Sequence, residues 1–230
     1  MQVYQIRLKV YLLKDISLNN LRTQVTYFLD SGLNQDQKLA HFHQENRYKN
    51  YCYDLLFPHE NSKVYKKDKI YTLTIRTIDP ELADFFLNKC VNCYTEQIKG
   101  LTAEIRIIPR KHIDILYTLT PVILKDDRGY WRGNISSEEF ESRMKVNLIK
   151  KWNAFENTKI DEDFELYNGI EFLNQGPILS EYKGIKLLGD KLRLHMADNV
   201  QAQQLAYMSL GTGLLEMNSR GFGYVNYSWL

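Results

Sequence analysis

Cysteine is scarce, with three in 230 residues, an odd number that offers no disulfide framework. Cys90 and Cys93 make a Cys-x-x-Cys pair, but no second pair or histidine partner stands nearby at zinc spacing. They read as small buried apolar residues on one helix face. A long apolar run is also missing. The longest uncharged stretch, 199–215, is broken by Gln201, Gln203 and Gln204 and by two glycines, so it falls short of the roughly 20 apolar residues a spanning helix needs. The opening MQVYQIRLKVYLL carries Arg7 and Lys9 inside its apolar stretch, where a signal peptide keeps a continuous core. Together these absences argue against a membrane or secreted protein and for a cytoplasmic one. Net charge is low, at +2. Residues 1–111 hold 17 Lys and Arg against 12 Asp and Glu, and 112–230 hold 13 against 16. That imbalance permits a polyanion-binding face on the first half without demanding one. The carboxylates are scattered, with no cluster of the two-metal nuclease kind, so neither metal nor other cofactor is expected.

What is present is globular: 44% hydrophobic and 13% aromatic residues, with sixteen tyrosines, a composition that packs a core. Val3 to Leu13 reads as a strand, and Ser17 caps a helix whose Leu18, Leu21, Val25, Phe28 and Leu29 recur at helical spacing. A short segment from Gln35 to His43 and a polar loop lead to a second strand, Tyr51 to Phe57, and a third, Ile70 to Ile78. Asp79-Pro80 starts a helix continued by Leu82, Phe85 and Phe86, and Leu101 to Ile108 is a fourth strand. This β-α-β-β-α-β order is ferredoxin-like, as in RNA-recognition modules. The second half repeats it: a strand from Ile115 to Leu124, a helix capped by Ser136 or Ser137 with Phe140, Met144, Leu148 and Trp152 on one face, and two strands, Ile178 to Leu187 and Leu192 to Met196, about a Gly189-Asp190 turn. A helix from Val200 to Met208 and a strand from Tyr224 to Trp229 complete it. The expected fold is α+β, two tandem ferredoxin-like (RRM-like) βαββαβ domains, 1–113 and 114–230.

The most specific signal is MSLGTGLLEMNSRGFGYVNY near the C-terminus. Glycines between a helix and the last strand allow positive φ and close backbone approach, and freed N–H groups there can cradle phosphate. The order, helix before loop before strand, is the reverse of Rossmann and P-loop fingerprints. The pattern Gly-Leu-x-Glu-x-Asn-Ser-x-Gly-Phe-Gly-x-Val, with Thr120-Pro121-Val122 and a helix bearing Phe140, Asn147, Lys150 and Lys151, resembles the CRISPR repeat-processing endoribonucleases of the RAMP superfamily over nearly the whole chain. One position departs: Leu215 stands where the family usually has the second glycine of Gly-Leu-Gly, which loosens the expected backbone contacts there.

The resemblance implies RNA cleavage without metal, by attack of the ribose 2′-hydroxyl on the adjacent phosphate, to leave a 2′,3′-cyclic phosphate and a 5′-hydroxyl. Such chemistry needs a base, an acid and positive charge at the phosphate, and histidine titrates near working pH. The family's catalytic histidine lies between the first helix and second strand, followed within several residues by a basic one. His43 with Lys49 fits that pattern best, His41 is the second candidate, and Tyr27 on the preceding helix is a candidate for orienting the 2′-hydroxyl. RNA binding is expected from Arg47 and from Gly213, Asn218, Ser219, Arg220, Gly221, Phe222 and Gly223. Implied partners are CRISPR repeat RNA and other CRISPR-associated effector subunits, with a homodimer allowed. Two alternatives stand beside this reading: a RAMP-fold subunit that binds RNA without cutting it, against which His41 and His43 count, and an unrelated ferredoxin-like RNA-binding protein, against which the lack of aromatic RNP motifs counts.

Overall fold

Apolar side chains alternate along VYQIRLKVYL, and this makes β1 (Val3–Leu12), whose Val3, Ile6, Leu8, Val10 and Leu12 are fully buried. A computed structural model describes residues 1–45 and 47–230, with the backbone alone at Phe42, His43 and Gln44. β1 is central in a four-stranded antiparallel sheet of order β3-β5-β1-β6, formed with β3 (Tyr51–Tyr53), β5 (Ile70–Thr77) and β6 (Ile98–Ile108). A small ladder pairs β2 (Ile16–Ser17) with β4 (Val64–Tyr65). Against the sheet lies α1 (Leu18–Gln35), burying Leu21, Val25, Phe28, Leu29 and Leu33, and each such side chain contributes about 1.5–3 kcal/mol by leaving water. Ser17 holds the N-cap position of α1 without a side-chain cap bond. The Asp79 carboxylate does cap α3 (Pro80–Asp84), accepting from the N–H groups of Glu81 and Leu82 at 2.9 and 3.4 Å. A wider turn at Phe85–Lys89 and a tighter one at Cys90–Asn92 extend it. Cys90 is buried and Cys93 half-buried.

The second sheet has the same internal order, β12-β7-β11-β8. Its strands are β7 (Ile113–Thr118), β8 (Tyr167–Phe172), β11 (Leu192–Met196) and β12 (Val225–Trp229). Crossing it are α4 (Ser137–Glu156), capped by the Ser136 hydroxyl, and α5 (Val200–Thr212), capped by Asn199. Both sheets therefore carry the ferredoxin-like arrangement, with the first ending at Ile108 and the second starting at Ile113.

Three sequence expectations are corrected here. Residues 178–187 are not one strand beside β11. They belong to an inserted hairpin of β9 (Ile178–Tyr182) and β10 (Ile185–Gly189). It turns at Lys183 and Gly184, whose φ values of 50° and 76° are those a two-residue hairpin turn requires. The strand that pairs with β11 is β8, and its Asn168 and Gly169 weaken the strand signal. The strand placed at 115–124 ends at Thr118, before Pro121.

α5 binds the halves together. It is apolar on almost every side and buried from Leu205 to Thr212, as befits a helix covered all round. Its neighbours are α4 and its own sheet together with β1, β3 and β5 of the first. Two buried arginines add to the join. Arg76 donates to the carbonyl of Val225 at 2.7 Å and to Gln5, and its guanidinium lies over the Tyr224 ring. Arg22 donates to the carbonyl of Gly221 at 3.2 Å and lies over the Phe222 ring. No helix among the described residues is long and apolar enough to cross a membrane.

Candidate nucleic-acid interface

Between the two halves runs a cleft of about 1250 Å³. Lys38, Arg47, Lys49, Lys125, Lys151, Lys183 and Arg220 line it, against the three acidic residues Asp79, Glu81 and Glu216. Two of those carboxylates are already engaged by backbone: Asp79 caps α3, and Glu216 accepts from the Lys125 N–H at 2.6 Å. A groove with this excess of cations concentrates a polyanion.

One wall is the segment after α2 (Leu39–Gln44). His41 and His43 stand on this six-residue helix rather than in an irregular loop. Positions two apart lie on different helix faces, and positions four apart share one. Position 43 is one turn beyond Leu39, which lines the cleft, whereas position 41 is not, and His41 is exposed. The His43 side chain lies outside the described residues. After the helix, Arg47 pairs with Glu45 at 2.8 Å, and the Lys49 ammonium donates to the Glu45 carbonyl at 2.7 Å. Burial, together with the charges of Arg220 and Arg47, pulls the Lys49 ammonium below the usual lysine range. Tyr27 is 58% exposed and faces a separate hollow with Thr23, Asp30 and Glu96. That hollow adjoins the cleft through Lys183, which lines both, and through the Asp30–Arg220 ion pair.

The opposite wall is the glycine-rich segment, and most of it is inside the protein. Gly213, Gly221, Phe222 and Gly223 are buried, while Asn218, Ser219 and Arg220 reach the cleft. The expectation of free N–H groups is corrected. Gly221 donates to the Asn218 carbonyl, Phe222 to Met217, Gly223 to Pro121 and Gly213 to Ser209. The glycines are needed for packing: at Gly221, φ is +80° and a Cβ would come within 2.7 Å of the Tyr53 ring. Gly221→Val is therefore expected to lower stability by about 2–4 kcal/mol, from overpacking and from strained backbone. Thermal unfolding would measure this, and a melting temperature equal to wild type would remove the packing role.

Lys151 on α4, absent from the expected site, organises this wall. It is buried, and its ammonium donates to the carbonyls of Gly213 and Leu215 at 2.9 and 2.8 Å and to Asn218 Oδ1 at 2.7 Å. Asn218 Nδ2 in turn donates to the carbonyls of Leu214 and Phe222. Burial pulls the Lys151 ammonium down to about 7, and three acceptors for three N–H donors oppose that pull. The sequence held a signal for it: Lys151 lies three residues after Leu148, on the apolar stripe of Phe140 and Met144. Two buried side-chain atoms among the described residues lack a hydrogen-bond partner, Tyr51 Oη and Asn147 Oδ1, and both residues line this cleft. Ser219 lies beside the Tyr51 hydroxyl but outside hydrogen-bond geometry, and burial raises the phenol well above its usual range, so it remains a donor. Unsatisfied buried groups of this kind call for a partner.

The site is thus a basic cleft closed between tandem ferredoxin-like units. The family model described as "CRISPR associated protein Cas6, C-terminal" matches residues 103–227, and the chain belongs to that family. Among solved structures it is similar to a CRISPR-associated Cas6 protein at 21% identity, covering 98% of this chain and 99% of that one with a TM-score of 0.64. A RAMP protein described as binding different RNA substrates matches at 16% identity, with 98% and 99% coverage and a TM-score of 0.72. A Cas6-related protein from Pyrococcus furiosus matches at 16% identity, with 98% of each chain covered and a TM-score of 0.70. No curated protein sequence matches the chain.

Proposed function

We propose that this protein is a metal-independent endoribonuclease that cuts CRISPR precursor RNA within its repeats to release guide RNAs. The observation that carries the reading is the basic cleft between the halves, with the segment that follows His41 and His43 as one of its walls. RNA phosphates would lie along the cationic lining, where charge-assisted bonds to lysine and arginine are strong. The scissile ribose would sit where α2 meets Lys49. A histidine there, His43 by its place on the helix, removes the 2′-hydroxyl proton or protonates the leaving 5′-oxygen, and Lys49 offsets charge on the phosphate. The 2′-oxygen of the ribose that carries the scissile phosphate bonds to phosphorus as the P–O5′ bond breaks and the 5′-oxygen takes a proton, so no water enters. The products are a 2′,3′-cyclic phosphate and a 5′-hydroxyl.

The buried part of the glycine-rich segment acts as a scaffold in this reading, and Ser219 and Arg220 are its RNA-facing members. Repeat RNA is the partner, and association with other effector subunits is part of the same proposal.

Cleavage is expected to persist in excess EDTA, because a 2′-hydroxyl nucleophile with histidine needs no metal-bound water. Loss of cutting that magnesium restores would refute the mechanism. A repeat RNA with 2′-deoxyribose just upstream of the cut should bind like the ribose form and resist cleavage. Ordinary cutting of the deoxy substrate would make water the nucleophile. Tight binding of the all-ribose repeat with no cutting under either condition would instead mark an RNA-binding subunit.

A further inference from the structure

We propose that the open edge of β6 pairs with the same edge of a second copy of this chain, antiparallel about a two-fold axis at Ile105. β6 is the last strand of its sheet, with β1 on one side. The start of its outer edge is covered, since Tyr94 bridges Lys99 and the Gly100 N–H donates to the Cys93 carbonyl. From Leu101 to Ile107 no strand of the described residues covers it. The uncovered stretch is exposed in a continuous run from Glu104 to Ile107. Two large apolar side chains stand in that run, Ile105 at 39% and Ile107 at 50% exposure.

The direction of the free backbone groups follows from one contact. The Tyr207 hydroxyl accepts from the Val3 N–H at 3.2 Å and donates to the Ile108 carbonyl at 2.6 Å. Val3 and Ile108 are register partners, so the backbone groups of Ile108 face β1. Strand alternation then turns the N–H and C=O of Ala103, Ile105 and Ile107 outward. A second β6 set antiparallel about Ile105 places Ile105 opposite its own copy and Ala103 opposite Ile107, as hydrogen-bonded pairs. The intervening pair is Glu104 opposite Arg106, in the closer non-hydrogen-bonded positions where side chains meet best.

The charges select this occupant. Native sheets guard an exposed edge with charges, lysine above all, and a lone charge on the axis repels its own image. Here Glu104 and Arg106 are opposite in sign and symmetric about Ile105, so each meets its complement in the second copy. On the other face, Ile105 continues the row of Ile6, its fully buried partner on β1, so pairing would carry that apolar layer across the axis. The hydrogen-bonded stretch, 103–107, lies wholly beyond the covered part of the edge.

The wild-type chain is expected to sediment as a dimer at micromolar concentration, and the amides of Ile105 and Ile107 should gain hydrogen-exchange protection as concentration rises. Glu104→Arg and Arg106→Glu should each weaken the dimer by at least about tenfold, since each sets two like-charged pairs across the axis. The double variant carrying both changes should recover it. All three should melt near wild type, because the Arg7–Glu104 pair they disturb is exposed and such pairs contribute little. A wild-type chain that is monomeric at its highest soluble concentration overturns the proposal. So do single variants that dimerise as wild type does, a double variant that stays monomeric, or edge amides whose exchange ignores concentration.

Discussion

Replacing His43 with alanine is expected to slow repeat-RNA cleavage by about 10²–10⁴-fold, the usual worth of a positioned acid or base, with RNA affinity nearly unchanged. Affinity in the proposed complex comes from phosphate contacts along the cleft, where Lys38, Arg47, Lys49, Lys125, Lys183 and Arg220 supply the charge. A single imidazole adds little to that sum. Position 43 lies one helical turn beyond Leu39 at the cleft wall, which is why it leads. His41→Ala made in parallel should have the smaller effect, because that side chain is exposed on another face of α2. Tyr27→Phe is the companion control. Tyr27 opens on the neighbouring hollow, and an unchanged rate would remove it from the proposed site. A larger loss in His41→Ala than in His43→Ala reverses the assignment of the pair. Wild-type cutting by the double histidine variant would place catalysis elsewhere and leave RNA binding alone.

Lys151→Met is expected to destabilise the fold by roughly 3 kcal/mol or more, since it takes a charged donor away from three buried acceptors at about 1–3 kcal/mol each. Those acceptors are the carbonyls of Gly213 and Leu215 and the Asn218 side chain, so the loss falls on the segment that carries Ser219 and Arg220 to the cleft. For a chain of this length each kcal/mol moves the melting temperature by about 2–4 °C, so a drop of roughly 6–12 °C should appear in a thermal scan. The control is its neighbour: Lys150 is exposed, and Lys150→Met should stay within about 0.5 kcal/mol of wild type. Equal melting of the two variants would mean that Lys151 does not hold the wall together.

How a site of this kind divides between sequence and structure is clearest at particular residues. The sequence by itself determined the alternating apolar pattern of β1, the apolar stripes of α1 and α4, the Asp79 cap, and a serine cap on α4 that the structure places at Ser136. Those signals are local, set by periodicity and capping chemistry within a few residues, and together they give two repeats of one strand and helix order. The C-terminal glycine pattern determined the family. Local signals were weak at β8, where Asn168 and Gly169 interrupt the strand pattern, and misleading at 178–187, where β-forming residues on both sides of Lys183-Gly184 read as one strand. Only the tertiary structure decided that Gly221 and Gly223 are packed inside rather than open to a ligand. It alone brought Lys38, Lys125, Lys183 and Arg220, far apart in the chain, to one cleft, and left Tyr27 in the next hollow. The physical reason is that α5 and the arginines Arg22 and Arg76 dock the two halves, and which side chains meet across a docked interface is fixed by packing between distant segments.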